Sequence, residues 1–197
     1  MTKGFTFEHQ ENGACLITPF VATDGRGEFV KDFNSETLKA NGIDFTIHEV
    51  LNVISKKGVV RGLHFQKKNC QAKLLRCLKG RIVDIIVDLR DDTDTFGSYW
   101  SYELDGDKKQ SLFVPHGFAH GYMVLEDDTY VQYFCDDIYN GEFDGGINYN
   151  EVEWPWERIG GKDNAIVSDK DVSLPYLEEL IRKSSEEKSP KFEHFRI

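Results

Sequence analysis

Residues 58–73 read Gly58-Val59-Val60-Arg61-Gly62-Leu63-His64-Phe65-Gln66-Lys67-Lys68-Asn69-Cys70-Gln71-Ala72-Lys73. Arg61, His64 and Lys73 all fall in this stretch, and the apolar Val59, Val60 and Leu63 among them mark its first half as a strand. Alternate residues of a strand share a face. Arg61 and His64 are an odd number of residues apart, so a flat strand would send them to opposite sides. Gly62, between them, permits a bulge that turns both toward one pocket. Taken alone, the same residues also fit a basic edge strand with a solvated histidine.

Working outward, the chain repeats short apolar runs and tight turns. Residues 74–78 and 82–89 flank Lys79-Gly80-Arg81 as a hairpin signal. In the second run Val83, Ile85, Val87 and Leu89 share one face, and Ile82, Asp84, Ile86 and Asp88 the other. Residues 99–104 and 112–114 read as strands around an Asp105-Gly106-Asp107 turn. Residues 122–125 and 129–135, joined by an acidic turn, read as a further hairpin. Upstream, residues 13–21 make a first short strand, followed by the turn Asp24-Gly25-Arg26-Gly27. Residues 35–42 are expected as a short helix capped by Ser35 and stopped at Gly42. Residues 45–52 alternate in a strand-like but mixed way. Short strands, regular turns and few helical windows predict an all-β sandwich or barrel.

Residues 136–170 are loop-like, with Trp154-Pro155-Trp156 as a packed anchor. The clear helix is expected at 173–188, capped by Ser173, with Pro175 in its first turn and a stripe of Leu174, Leu177, Leu180 and Ile181. One domain of 197 residues is expected, with a core over about 13–136 and a loop-and-helix extension over about 137–197.

Acidic residues outnumber basic ones 34 to 24, for a net charge of −10. That argues against non-specific nucleic-acid binding, which needs an extended basic face. It leaves room for a small cationic pocket. The longest apolar run, 82–89, is interrupted by two aspartates and is far short of a membrane span. Residues 1–10 lack an apolar signal region. Cys15, Cys70, Cys77 and Cys135 form no C-x-x-C pair, which fits a reduced, cytosolic protein with incidental thiols.

Two segments carry a resemblance. Gly58-x5-His64 and Pro115-x-Gly117-x2-His120 have the spacing of the two halves of a cupin β-barrel signature. In metal-binding cupins a second histidine and a glutamate follow the first. Here Gln66 replaces that histidine, and Cys70 and Gln71 stand near the glutamate position. A divalent ion normally needs three or more matched protein ligands, so the barrel is expected without a metal.

The likeness narrows further. R-G-L-H-F-Q at 61–66, Q-A-K-L-L-R at 71–76, G-R-I-V-D-I-I-V-D-L-R at 80–90, V-P-H-G-F-A-H-G at 114–121 and S-D-K-D at 168–171 resemble the dTDP-4-dehydrorhamnose 3,5-epimerase family. The resemblance covers roughly residues 17–171. It implies a cytoplasmic, cupin-type jelly-roll homodimer with N-terminal strand exchange. The substrate implied is a nucleotide-linked 4-keto-6-deoxy sugar, acted on with no metal or organic cofactor.

The chemistry asks for the matched residues. Epimerisation beside a ketone removes an α-proton and returns one to the opposite face. Histidine suits the removal, and His64 matches the family's base. A carboxylate behind an imidazole fixes its tautomer. By the S-x-K-D match that partner is Asp171, with Asp169 the second choice. Lys73 matches the cation beside the developing enolate, and Tyr133 the acid on the other face. Arg26, Arg61, His120, Tyr139 and Lys170 match substrate-binding positions, the arginines near the nucleotide diphosphate and sugar.

The chain also departs from the family pattern. Lys31 stands where a glutamate is common. Where the family often shows Q-x-N-x-S-x-S, positions 49, 51, 53 and 55 are Glu49, Leu51, Val53 and Ser55. The reaction set is retained while part of the ligand-binding strand differs. Two alternatives follow: an epimerase acting at one carbon of another nucleotide-linked deoxyhexose or heptose, or a sugar-nucleotide-binding cupin without turnover.

Overall fold

The structure, a computed structural model, describes residues 2–186. In chain order the strands are β1 (Thr2–Lys3), β2 (Thr6–His9), β3 (Cys15–Thr18), β4 (Phe20–Asp24) and β5 (Gly27–Lys31). After helix α1 (Ser35–Ala40) come β6 (Glu49–Ser55), β7 (Val60–Gln66), β8 (Lys73–Lys79), β9 (Arg81–Asp88) and β10 (Tyr99–Asp105). Then follow β11 (Ser111–Val114), β12 (Phe118–Val124), β13 (Thr129–Cys135), β14 (Asp144–Gly146) and the helices α2 (Asp169–Val172) and α3 (Leu177–Glu186). A five-stranded sheet, β10-β9-β12-β7-β14, and a six-stranded sheet, β2-β3-β11-β8-β13-β6, form the sandwich, and β1-β4-β5 is a separate small sheet. The all-β expectation is met.

The alternation along β9 explains the layering. Ile82 and Ile86 face inward with Leu75, Cys77, Leu112, Tyr122 and Val131 of the two facing sheets. Val83, Ile85, Val87 and Leu89 face the other way, toward Val152, Trp154, Ile159, Leu177 and Leu180. The C-terminal extension therefore covers the back of the five-stranded sheet. Trp154 is the anchor the sequence suggests: it is buried, and its indole donates to Tyr149 O at 2.8 Å.

Both hairpins expected around Gly80 and residues 126–128 are corrected. β8 pairs with β11 and β13, whereas β9 pairs with β10 and β12. Each turn instead carries the chain from one sheet to the other, because each flanking strand finds its partners in its own layer. Gly80 permits the first crossing, with φ +79 and Thr129 Oγ1 only 2.2 Å from where a Cβ would stand. Residues 13–21 divide at Pro19 into β3 and β4, which lie in different sheets. The cap of α1 is Asn34, whose side chain accepts from Thr37 N at 2.9 Å. Strand β6 begins at Glu49, later than the alternation suggested. The C-terminal helix begins at Leu177 rather than Ser173, because Ser173 closes the separate turn α2. Leu177 N donates to Glu151 Oε1 at 2.5 Å. The expected end at Lys188 lies outside the described residues.

Candidate active site

The bulge foreseen at Gly62 is present. Across the β12–β7 pair, His120 lies opposite His64, but Tyr122 lies opposite Arg61. The two steps on β12 thus match three on β7, which leaves one extra residue on β7. Gly62 takes φ +122, and a Cβ there would stand 2.6 Å from Gly121 Cα. The extra residue brings Arg61 and His64 to the same cavity.

That cavity, of about 220 Å³, is lined by His64, Lys73, Tyr133, His120, Arg61, Tyr139 and Lys170. Seven of the residues singled out in the sequence thus converge from β7, β8, β12, β13, helix α2 and the loop that carries Tyr139. An eighth, Asp171, stands behind His64. Its Oδ1 lies 2.7 Å from His64 Nε2, and its Oδ2 accepts from Gly62 N at 3.3 Å. Ser168 caps α2 by accepting from Asp171 N at 3.1 Å, which aims the carboxylate from the third position of a single turn. Burial pushes the Asp171 carboxyl up, but the hydrogen bond and charge of His64, with Gly62 N and Ser168, hold it below its usual value. With Nε2 facing Asp171, Nδ1 is left for the cavity. Asp169 makes no such contact with His64.

Lys73, opposite Cys135 on β13, has its pKa lowered by burial, against the pull of neighbours that include Asp84 and Asp144. Tyr133 is pushed well above its usual pKa, first by burial and then by Tyr122 and Asp84, so its phenol holds its proton at neutral pH. His120 Nε2 sits 2.7 Å from Asp84 Oδ2. Both are buried, and burial drives the pair toward neutrality, raising Asp84 and lowering His120. The second oxygen of Asp84 has no hydrogen-bond partner among the described residues.

Asp84 is the residue that sequence reading missed as part of the site. Its signal was an acid inside an apolar run. Glu49 was noticed only as a departure. Its Oε2 accepts from Tyr139 N at 3.0 Å and from Gln71 Nε2 at 3.3 Å, so it holds the loop that carries Tyr139. Gln66, in place of a cupin's second histidine, accepts from Asn140 N at 2.6 Å and donates to Asn69 O at 2.8 Å. Among the described residues no three His, Cys, Asp or Glu side chains are grouped to hold a metal ion. At the rim Lys170 pairs with Asp144, and Leu51 presents an apolar edge.

Arg26 is not brought to this cavity. It sits on the β4–β5 turn, exposed, bound to Asp24 at 2.7 Å, beside the exposed Phe29.

The model of the dTDP-4-dehydrorhamnose 3,5-epimerase family matches residues 8–179. This chain belongs to that family. A dTDP-4-dehydrorhamnose 3,5-epimerase of Methanothermobacter thermautotrophicus is 38% identical over 172 residues, covering 85% of this chain and 91% of that protein. Among solved epimerases of the family, the Sulfolobus tokodaii structure superposes with a TM-score of 0.82 at 38% identity, over 90% of this chain and 97% of that one. The Bacillus anthracis structure, which has TDP and PPi bound, gives a TM-score of 0.82 at 36% identity, over 88% of this chain and 100% of that one. The family's cupin sandwich is thus the fold seen here.

Proposed function

We propose that the protein inverts carbons 3 and 5 of dTDP-4-dehydro-6-deoxyglucose to give dTDP-4-dehydrorhamnose, using no metal or organic cofactor. The observation that carries this reading is the His64–Asp171 pair at 2.7 Å on a cavity shared with Lys73 and Tyr133. His64 removes the proton next to the ketone through Nδ1, and Asp171 steadies the imidazolium that forms. The Lys73 ammonium meets the enolate oxygen as a fixed positive charge. Tyr133 returns a proton to the opposite face. Carbons 3 and 5 flank the same ketone, so one oxyanion partner serves both inversions. Arg61 and Lys170 bind the diphosphate, as guanidinium and ammonium groups suit phosphate oxygens, while His120 and Tyr139 position the sugar. The TDP and PPi bound to the Bacillus anthracis relative support a nucleotide-linked substrate.

The test is NMR in deuterated water with dTDP-4-dehydro-6-deoxyglucose. Deuterium at both carbons, with the rhamno product, is expected. Deuterium at one carbon would make the protein a mono-epimerase. Binding without exchange at either would make it a sugar-nucleotide-binding cupin and overturn the reading.

The working unit in this reading is a cytoplasmic homodimer with exchanged N-terminal strands. Strand β6 is an edge of its sheet and exposes Val50, Leu51 and Ile54, a surface that invites covering. A second copy's β4–β5 turn would bring Arg26 to the nucleotide. Sedimentation of a dimer at micromolar concentration is expected, and a monomer there would count against the exchange.

A further inference from the structure

Tyr122 is the largest fully buried side chain of the inter-sheet core, and yet it carries a polar atom. Its hydroxyl has no hydrogen-bond partner among the described residues. Leaving such a group unsatisfied costs about 1–3 kcal/mol, whereas phenylalanine would fill the same space without that penalty. The ring lies 6.1 Å from that of Tyr133 and lines the same cavity. Tyr133 and Ser55 both act on the hydroxyl through side-chain hydrogen bonding, but neither reaches full hydrogen-bond geometry with it. Ser55 Oγ in turn accepts from Arg61 Nε and Nη2, each at 3.3 Å. That leaves the Ser55 hydrogen free to donate. Arg61 itself is exposed. The four side chains form a line from the phenol of Tyr133, on the cavity wall, to solvent at Arg61.

We propose that Tyr122 is a proton relay that restores Tyr133 after each inversion, fed through Ser55 from water at Arg61. The proposal rests on Tyr133 being the acid of the reaction described above. Each inversion leaves His64 protonated and Tyr133 as a phenolate. In the reset the Tyr122 O–H bond breaks as the Tyr133 O–H bond forms. Ser55 then gives its hydrogen to the Tyr122 oxygen, and a water at Arg61 gives one to Ser55. The hydroxide left behind is neutralised by the proton that His64 releases from Nδ1 to solvent. One proton enters and one leaves, so no charge accumulates. Desolvation disfavours the Tyr133 phenolate, so a donor beside it resets it faster than water entering through the cavity. Tyr122 acts only through Tyr133, as a positioning and relay residue.

The experiment compares wild type with Tyr122→Phe and Ser55→Ala on the same 4-keto nucleotide sugar, both with enzyme in excess and in steady state. With enzyme in excess, Tyr122→Phe should keep the wild-type rate in the first of the two inversions and slow in the second, which needs a restored Tyr133. Its steady-state kcat should fall roughly tenfold, less than the 10²–10⁴-fold of a lost primary acid. Imidazolium buffer should restore that kcat in proportion to its concentration. Ser55→Ala should show the same split. The melting temperature of Tyr122→Phe should stay level or rise, since the lost hydroxyl had no partner to lose. A Tyr122→Phe enzyme with unchanged kcat, or one slowed as much in its first inversion as in steady state, would overturn the relay alone. A wild type that exchanges no substrate proton would overturn the epimerase reading, and the relay with it.

Discussion

Asp171→Asn is almost isosteric, so its effect isolates the charge and the second acceptor of the pair with His64. The carboxylate accepts from His64 Nε2 at 2.7 Å with one oxygen and from Gly62 N at 3.3 Å with the other. An amide has one oxygen and cannot do both. If that oxygen stays on His64, the amide nitrogen meets the Gly62 N–H, donor against donor. If it turns to Gly62, the amide donates to Nε2, and the imidazole proton moves to Nδ1, where the lone pair is needed. Either outcome disables the base, and kcat should fall by about 10²–10⁴-fold. A buried donor left unsatisfied costs about 1–3 kcal/mol, which lowers Tm by roughly 2–12 °C for a chain of this size.

The pH dependence follows from the lowered Asp171 pKa. A depressed carboxyl stabilises the fold at pH values above its unfolded pKa of about 3.9, and that contribution is lost as pH falls through the folded value. Wild type should therefore lose Tm more steeply than the variant below about pH 4. The assay is steady-state inversion and α-proton exchange, run for Asp171→Asn, His64→Asn and the double variant. The double should be about as slow as the worse single. Losses that multiply, or a kcat within about threefold of wild type for Asp171→Asn, would refute the pairing as the source of catalysis.

Lys73→Met should abolish turnover while nucleotide affinity, read by calorimetry, stays nearly intact. It should also raise Tm at neutral pH: burial lowers the Lys73 pKa, so the charged form strains the fold until pH climbs past that lowered value. A Tm that drops would contradict this. Tyr133→Phe should retain α-proton washout but lose inversion, and NMR showing both lost together would remove it from the far face. Activity should persist after exhaustive chelation, and loss with rescue by an added divalent ion would place a metal in the reaction. Gly62→Ala should destabilise by roughly 1–3 kcal/mol from its left-handed backbone alone, with more from the 2.6 Å approach to Gly121 Cα. Near-wild-type stability by denaturant titration would mean that the bulge is not held by that contact.

What was legible in the sequence was local. The alternation in 82–89 assigned both faces of β9 correctly, and Gly62 announced the bulge that unites Arg61 with His64. Strand pairing was not legible. A tight turn between two apolar runs looks the same whether the strands pair or cross to the facing sheet, since pairing depends on partners 12 to 86 residues away. Asp84 shows a similar limit. An aspartate in an apolar run signals a buried acid, but only the register of β12 on β9 reveals that His120 is its partner. The candidate reaction residues were reached by family resemblance, because nothing in the spacing of His64 and Asp171, 107 positions apart, could bring them together. Arg26 marks the boundary of what one chain holds. It is exposed on the β4–β5 turn, outside the cavity that gathers the other candidates.

The crossings at Gly80 and at residues 126–128 have a consequence for ligand linkage. His64 and His120 belong to one sheet, Lys73 and Tyr133 to the other, and no hairpin contains both halves of the cavity. A partly opened molecule in which the layers separate keeps much of its backbone pairing but has no site. Bound nucleotide sugar therefore stabilises only the closed sandwich, by RT ln(1 + [L]/Kd). Amide exchange should register that increment equally in β7, β8, β12 and β13, as one cooperative unit, while fraying at the termini stays indifferent to ligand.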